Sequence, residues 1–361
     1  MLIYKKVPED FIVEEITPEK IVIEFGKEYE FENGQGPYLK CYLEKVNWDN
    51  HVAFKKISKL LHVSVKRIGF AGTKDKKACT TQRISIWGIK KEQIEKLKIK
   101  DMRIIPIKYS DKPVELGDLY GNRFTVKIYC EKFDFCDEIP NFYGFQRFGE
   151  TRPITHKVGL KILQGDLEGA VKSYLCESFG TESKMHKEVR ERLAKDFNYK
   201  EALTYFPKSL YFERLILSHL VRYPNDYAGA LRKLPKFLKI MFIHAVQAWL
   251  FNKFLLKNMK EGRKYADGPL FGYELECDDF EQVFLESFGL KKENFLVKKM
   301  PEMSSKGERR PCFVKVEDFK ILERTNDFLK IRFSLPKSSY ATVALSWWCE
   351  RDEFLKKIEN L

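Results

Sequence analysis

The order in which two hydrophobic periodicities follow one another constrains the fold more than any other feature of the sequence. Segments that alternate apolar and polar residues occur through the first 150 residues, among them EDFIVEEI and YLKCYLEKV, and this alternation is typical of half-buried strands. Helical spacing dominates from about Thr155 to Lys260, and strand-like patterns return at FLKIRFSL and SSYATVALSWW. This order predicts an α/β (α+β) protein in which a helical block interrupts a β-rich domain, with the C-terminal strands completing that domain's sheet.

Shorter signals predict individual elements. Asp49 or Asn50 precedes an apolar face at helical spacing that includes Ala53 and Ile57, so one of the two is expected to cap a helix. Further strands are predicted at VKRIGFAG, TTQRISIWG, MRIIPIKY and NRFTVKIYC, the last one entered through Gly121. Later in the chain, EMSSKGERRP (302–311) has the composition of a linker.

Two features argue against a membrane-spanning or exported protein. The most apolar run, Lys236 to Lys257, is interrupted by lysine, histidine, glutamine and asparagine side chains, which the hydrocarbon core of a bilayer would penalise. We therefore predict a long, largely buried helix there. The opening residues, MLIYKKVPEDF, become charged too early for the apolar region of a signal peptide. We expect a cytoplasmic protein with no membrane partner.

The sequence also lacks the known signatures of metal and cofactor sites. Its eight cysteines form no C-x-x-C pair, which disfavours a zinc site and fits reduced thiols. The six histidines show no metal-ligand spacing, and the P-loop, dinucleotide, H-E-x-x-H and G-x-S-x-G motifs are absent. We therefore expect neither a metal nor a cofactor.

Charge is distributed unevenly along the chain. Residues 1–50 hold 6 Lys/Arg and 11 Asp/Glu, whereas residues 51–100 hold 14 Lys/Arg and 3 Asp/Glu. Concentrated positive charge suits a polyphosphate partner, most simply a nucleic acid, through counterion release. A lysine-rich, solvated surface, as in heat-adapted proteins, is the alternative explanation.

The basic segment contains an unusual loop. GFAGTKDKKACTTQ (Gly69–Gln82) places one carboxylate, Asp75, among Lys74, Lys76 and Lys77, on a predicted strand-to-strand turn. One interpretation is a solvated turn that happens to carry a charge. The other is a carboxylate that its neighbours keep ionised, for chemistry on a polyanion that the same lysines attract.

Three further stretches are rich in residues that loops rarely need for packing: KKVPEDFIVEE, NFYGFQRFG and LPKSSYAT. Aromatic rings beside amide and guanidinium groups can stack on an unpaired base and hydrogen-bond it. The alternative is that the rings belong to the core, which we expect for at least two of Phe142, Phe145 and Phe148.

In this order, GFAGTKDKKACTTQ, LGDLYGNRFTV, NFYGFQRFG and LPKSSYAT closely resemble motifs of the TruD family of tRNA pseudouridine synthases, and KKVPEDFIVEE resembles the family's N-terminal segment. The matches lie as islands between about residues 5 and 345. The resemblance implies a pseudouridine synthase catalytic domain with a mixed, largely antiparallel sheet, at 1–155 and 313–361. It also implies a mainly helical insertion domain at 156–312.

The resemblance further implies the site. The family's catalytic aspartate corresponds to Asp75, and no metal site is implied. The family's aromatic motif more often reads N-Y-F-G, so either Phe142 or Tyr143 is the stacking ring. A histidine common in the family is Lys77 here, and we assign it no catalytic role. The expected substrate-binding residues are Lys5, Phe11, Lys74, Asn141, Tyr143, Gln146, Arg147 and Tyr340.

The implied reaction converts uridine to pseudouridine in tRNA, most simply at position 13. The N1–C1′ bond breaks, the base turns, and C5 bonds to C1′, so no redox cofactor is needed. Asp75 would act as a nucleophile or would assist loss of a ribose proton on the way to a glycal. The rival hypothesis is a non-catalytic RNA-binding or RNA-folding protein, and a third is a DNA-directed enzyme.

Overall fold

The computed structural model describes residues 2–361, which form a mixed α/β protein. The strands are β1 (Ile3–Tyr4), β2 (Phe11–Ile16), β3 (Tyr38–Val46), β4 (Ile68–Phe70), β5 (Cys79–Trp87), β6 (Met102–Ser110), β7 (Gly121–Tyr129), β8 (Glu138–Pro140), β9 (Asp267–Leu270), β10 (Glu308–Pro311), β11 (Phe313–Lys315), β12 (Glu317–Arg324) and β13 (Leu329–Pro336). The α-helices are α1 (Asn50–Leu60), α2 (Lys91–Glu95), α3 (Thr155–Leu163), α4 (Leu167–Cys176), α5 (Lys184–Asp196), α6 (Tyr199–Tyr205), α7 (Tyr211–Arg222), α8 (Tyr227–Arg232), α9 (Lys236–Lys260), α10 (Asp279–Glu286), α11 (Ala341–Cys349) and α12 (Arg351–Glu359).

The chain divides into two compact units. The first contains Met1–Ile139 and Val314–Arg351, and the second contains Pro140–Phe313 and Asp352–Leu361. Both units therefore include two separate stretches of chain. The second unit is larger than the helical block expected at 156–312, because it also includes residues 140–155 and the C-terminal residues 352–361.

One large sheet forms the centre of the first unit. Its nine strands include the path β12-β13-β7-β2-β5-β3-β6, with β1 paired to β7 and β4 paired to β5. The β2–β5 pair is parallel, and the other pairs of this sheet are antiparallel. The expected mixed, largely antiparallel sheet is thus confirmed. Strand β13, predicted at FLKIRFSL, completes it from the C-terminal part of the chain, together with β12, which was not predicted.

The alternating pattern of β3 explains how this sheet buries one face. Leu39, Cys41 and Leu43 are 0–1% exposed and pack in a core cluster with residues of α1. Asp49 caps α1, because its carboxylate accepts hydrogen bonds from the backbone N–H of His51 and of Val52. The cap was one of the two candidates that the sequence offered.

Gly121 is required where β7 begins beside β13. A Cβ atom at this position would collide with the backbone carbonyl oxygen of Leu335 on β13, the residue before Pro336, with which Gly121 pairs. Only glycine permits this close approach of two backbones. The loop that precedes β7 is therefore fixed against the end of β13.

In the second unit, α9 is the central helix. It has 25 residues, and most of its surface is buried, including Val246, Leu250 and Phe254 at 0% exposure. Helix α3 packs closely on it, because Gly159 leaves no side chain between itself and the Phe242 carbonyl. Within residues 2–361, no helix combines the length and the apolar character needed to cross a membrane.

Two sequence predictions are wrong. SSYATVALSWW forms helix α11 rather than a strand. Its residues Val343–Leu345 and Trp347–Trp348 are buried, and they lie on more than one face of the helix. A short apolar run buried all round carries no periodicity that separates helix from strand. EMSSKGERRP is not a linker, because its last four residues form β10 and pair with β9.

Candidate active site

Asp75 lies in the loop between β4 and β5, as the sequence predicted. Its side chain is 41% exposed, and its Oδ1 atom accepts a hydrogen bond of 2.7 Å from the Lys5 ammonium. The Lys5 side chain is only 16% exposed. The carboxylate thus keeps an open face while one cation fixes its position.

Lys5 is held in place by the residues around it. Its backbone has a left-handed φ of 59°, and its Nζ atom lies 3.8 Å from the centroid of the Phe11 ring, a cation–π contact. Phe11 is 1% exposed and packs 6.0 Å from Phe124, centroid to centroid. Phe11 therefore orients Lys5 from within the core and offers little surface to a ligand.

Lys74, expected to bind substrate, is instead buried. Its ammonium donates to Glu15 Oε2 at 2.8 Å, and the two side chains are 2% and 0% exposed. Arg83 donates to the other oxygen of Glu15 at 3.3 Å. A buried charge needs such partners, so Lys74 anchors the loop immediately before Asp75 rather than facing a phosphate.

A second buried lysine, Lys45, contacts the loop from the sheet. Its residue exposure is 1%, and its Nζ atom donates to the backbone carbonyls of Trp48 at 2.8 Å and of Asp75 at 3.0 Å. Burial lowers the pKa of Lys45 to about 8, although the charges of Asp75 and Asp49 oppose this shift. Asp75 is thus held by Lys5 at its carboxylate and by Lys45 at its backbone.

The loop that carries Tyr340 is connected to the Asp75 loop through Gly117. The Gly117 N–H donates to the Ala71 carbonyl at 2.8 Å, and the Gly117 carbonyl accepts from Lys337 Nζ at 2.9 Å. Tyr340 follows at the N-cap of α11, where it is partly exposed. Three of the motifs recognised in the sequence are therefore hydrogen-bonded in series within the first unit.

Asn141, in the second unit, is 4% exposed and engaged with its own unit. Its amide donates to the Pro311 carbonyl at 3.0 Å, and its Oδ1 atom accepts from Arg310 at 2.8 Å. Both ends of the side chain therefore already have partners. This arrangement makes Asn141 a support for Arg310, in contrast to the expected contact with substrate.

Tyr143 is partly exposed, as is Phe145 in the same motif. Its backbone is bonded at both N–H and C=O to the Asn252 side chain. The guanidinium carbons of Arg310 and Arg147 lie 4.1 and 5.5 Å from its ring centroid. These two arginines give the ring a positively charged surrounding.

Two neighbouring rings of the same motif, Phe142 and Phe148, are in the core. Phe142 is 0% exposed and packs on Phe354 at 5.7 Å between centroids, and Phe148 is also 0% exposed. The expectation that two of these phenylalanines are core residues is confirmed. Tyr143 rather than Phe142 is thus available for stacking, and Gln146 is exposed on the adjoining short 3₁₀ helix.

Three residues that hold the site in place were not predicted from the sequence: Lys45, Glu15 and Arg310. Lys45 continues the inward series of Leu39, Cys41 and Leu43 on β3, so a lysine at a core-facing register was a readable signal. Glu15 carries the same signal on β2, where it follows the inward residues Phe11 and Val13, whereas Arg310 carried none. Their partners are 59 and 169 residues away along the chain.

Among residues 2–361, no cluster of three or more histidine, cysteine or acidic side chains could hold a metal ion. All eight cysteines are free thiols. The site's own residues offer one partly exposed carboxylate beside an ammonium group.

The site therefore combines a partly exposed carboxylate, hydrogen-bonded to Lys5, with a strongly basic segment of the chain, an arrangement typical of enzymes that act on polyanions. The family model of tRNA pseudouridine synthase D (TruD) matches residues 3–267 and 256–346. Because these matches include most of the sequence, the chain belongs to the TruD family.

Individual relatives agree with this assignment. A protein of Methanopyrus kandleri named as a probable tRNA pseudouridine synthase D is 37% identical, with 86% of this chain and 85% of that protein covered. One from Methanocaldococcus jannaschii, similarly named, is 36% identical over 97% and 96% of the two chains. A crystal structure from Methanosarcina mazei, assigned to TruD, superposes with a TM-score of 0.75 at 32% identity, and covers 96% of this chain and 93% of that one.

Proposed function

We propose that the protein isomerises uridine to pseudouridine in tRNA, at position 13, with Asp75 as the catalytic carboxylate. The observation that carries the proposal is the geometry of Asp75, which is 41% exposed and bonded to Lys5 at 2.7 Å. Membership of a family named for this activity supports the reaction. The role of Asp75 rests on the geometry and on the motif.

The local charges suit the reaction. Lys5 orients the Asp75 carboxylate through a hydrogen bond of 2.7 Å, and a carboxylate can attack C1′ or assist loss of a ribose proton as the N1–C1′ bond breaks. The detached base then turns and bonds through C5. The Lys5 ammonium would also favour the negative charge that the departing uracil carries.

The expected substrate-binding residues divide into two groups by exposure. Tyr143, Tyr340, Gln146 and Arg147 keep some surface, and we assign them to the flipped-out uridine and its flanking phosphates. Phe11, Lys74 and Asn141 are 1%, 7% and 4% exposed. We assign these three to the support of Lys5, of the Asp75 loop and of Arg310.

We further propose that residues 1–155 and 313–361 act as the catalytic domain, and that the helical insertion at 156–312 helps to grip tRNA. The positive charge of residues 51–100 supports a grip on phosphates by the first of these. The eight free thiols support a cytoplasmic location.

Tritium release from C5-labelled uridine in tRNA transcripts tests the reaction, because the label leaves as C5 becomes the glycosidic carbon. The matched control is the same transcript with cytidine at position 13. We expect release from the first and none from the second. Release from both transcripts would reject position 13, and tight binding without release from either would support the RNA-binding alternative.

A further inference from the structure

We propose that Lys45 is a positioning residue for the reaction: its buried amine fixes the backbone of Asp75 and thereby the direction of the carboxylate. The inference rests on the proposed role of Asp75. It adds a residue of the sheet to a site that otherwise consists of loop residues and Lys5.

The geometry joins three separate parts of the first unit through one nitrogen atom. Lys45 is the penultimate residue of β3, and its Nζ donates to Trp48, in the turn that leads into α1, and to Asp75, in the loop between β4 and β5. Asp49, next to Trp48, caps α1. The position of Asp75 is therefore tied to the end of a central strand and to the start of a helix.

Stability alone does not explain a lysine here. Leu39, Cys41 and Leu43 occupy the preceding inward positions of β3, and another apolar side chain would continue that core without burying an amine. Lys74 differs, because a buried carboxylate of Glu15 pairs with it at 2.8 Å. The hydrogen-bond acceptors of Lys45 are two neutral carbonyls.

A role in catalysis explains why the loop keeps a contact with a buried amine, which costs free energy. The Asp75 carboxylate is 41% exposed, so core packing does not determine its direction. A displacement of about 1 Å at a reacting group can reduce turnover by about 10²-fold. The hydrogen bond from Lys45 to the Asp75 carbonyl restricts movement of the loop on its buried side. The hydrogen bond from Lys5 restricts movement of the carboxylate on the exposed side.

The test is Lys45→Met, which keeps the length of the side chain and removes both donors. We expect kcat to fall by about 30- to 100-fold. The Kd for tRNA should change less than about two-fold, since a buried residue touches no phosphate. The unfolding temperature should not fall, because removal of a buried ammonium offsets the two hydrogen bonds that the variant loses. The matched control is Lys40→Met, on the same strand but partly exposed, for which we expect unchanged kcat.

Lys45→Arg keeps the donors and the charge, so it should recover kcat to within about ten-fold of wild type. It also carries the test if the methionine variant does not fold. Wild-type kcat for Lys45→Met, or a loss of kcat that Lys45→Arg does not relieve, would overturn the proposal. So would a loss that follows a fall in unfolding temperature. If the wild-type protein itself releases no tritium from tRNA, the proposed function fails instead.

Discussion

The Asp75 region of the first unit and the Arg310 region of the second use buried cations in opposite ways. Around Asp75, the cations lie on the protein side and the carboxylate stays 41% exposed. In the second unit the buried cation supports a ring instead: Arg310, which is 5% exposed, donates to Asn141 and lies 4.1 Å from the centroid of the Tyr143 ring. The first region presents an exposed carboxylate, the proposed catalytic group, whereas the second presents the partly exposed face of a ring.

This difference separates residues that react from residues that shape a surface. In the first region, a substitution can remove chemistry while the fold survives, because the reactive atom is exposed. In the second region, a substitution of the buried cation removes hydrogen bonds within the unit, so its effect should be felt first as lost stability. The variants below test this contrast.

The largest effect is expected for Asp75→Asn. Asparagine is nearly isosteric but carries no charge and is a poor nucleophile, so tritium release should fall to the level of an enzyme-free sample. Binding of tRNA, measured by filter retention at fixed salt, should be unchanged or slightly tighter, because a negative charge has left a phosphate-binding surface. Substantial release by the pure variant would remove Asp75 from the mechanism.

Arg310→Met should have the next largest effect, on stability. The change leaves the backbone carbonyl and the side-chain oxygen of Asn141 without their donor, at a cost of about 3 kcal/mol in the free energy of unfolding. Urea denaturation measures it, and Arg310→Lys, which keeps one donor, should lose less. If Arg310→Met unfolds at the wild-type urea concentration, the buried cation does not support its region and the contrast fails.

The two regions were not equally predictable from sequence. The Asp75 loop, its flanking strands and the Asp49 cap were foreseen, because period-2 alternation and capping residues are local signals. Arg310 was assigned to a linker, because the β9–β10 pairing that orders it involves residues about 40 positions apart. The core rings of NFYGFQRFG were foreseen as a class, yet only packing shows that Tyr143 rather than Phe142 keeps an exposed face.

Tyr143→Ala should lower turnover more moderately. Stacking of a base on an aromatic ring is worth about 1–3 kcal/mol, so kcat/KM for tRNA should fall by about 5- to 150-fold. Tyr143→Phe keeps the ring and serves as the control, with kcat/KM close to wild type. Equal kcat/KM for wild type and Tyr143→Ala would assign the ring to packing against Phe251, at 5.9 Å between centroids.

The smallest effect is a pH dependence that distinguishes Lys45 from the other cations of its region. Burial lowers the pKa of Lys45 from 10.5 to about 8 in the folded protein. Between these two values the unfolded chain holds a proton that the folded chain has released, so the free energy of unfolding rises with pH. The cost of the buried ammonium is therefore fully present below pH 8 and disappears as pH rises from 8 toward 10.5. One pH unit corresponds to about 1.4 kcal/mol, and partial titration near the pKa reduces this to about 1 kcal/mol between pH 8 and pH 9.

Urea denaturation of wild type and Lys45→Met at pH 7, 8 and 9 measures the effect, because every other group titrates in both proteins. The wild type should gain about 1 kcal/mol relative to the variant over the last interval. A difference that stays constant with pH would mean that burial does not lower the pKa of Lys45. Lys5 would then be the cation that distinguishes the Asp75 region from the Arg310 region.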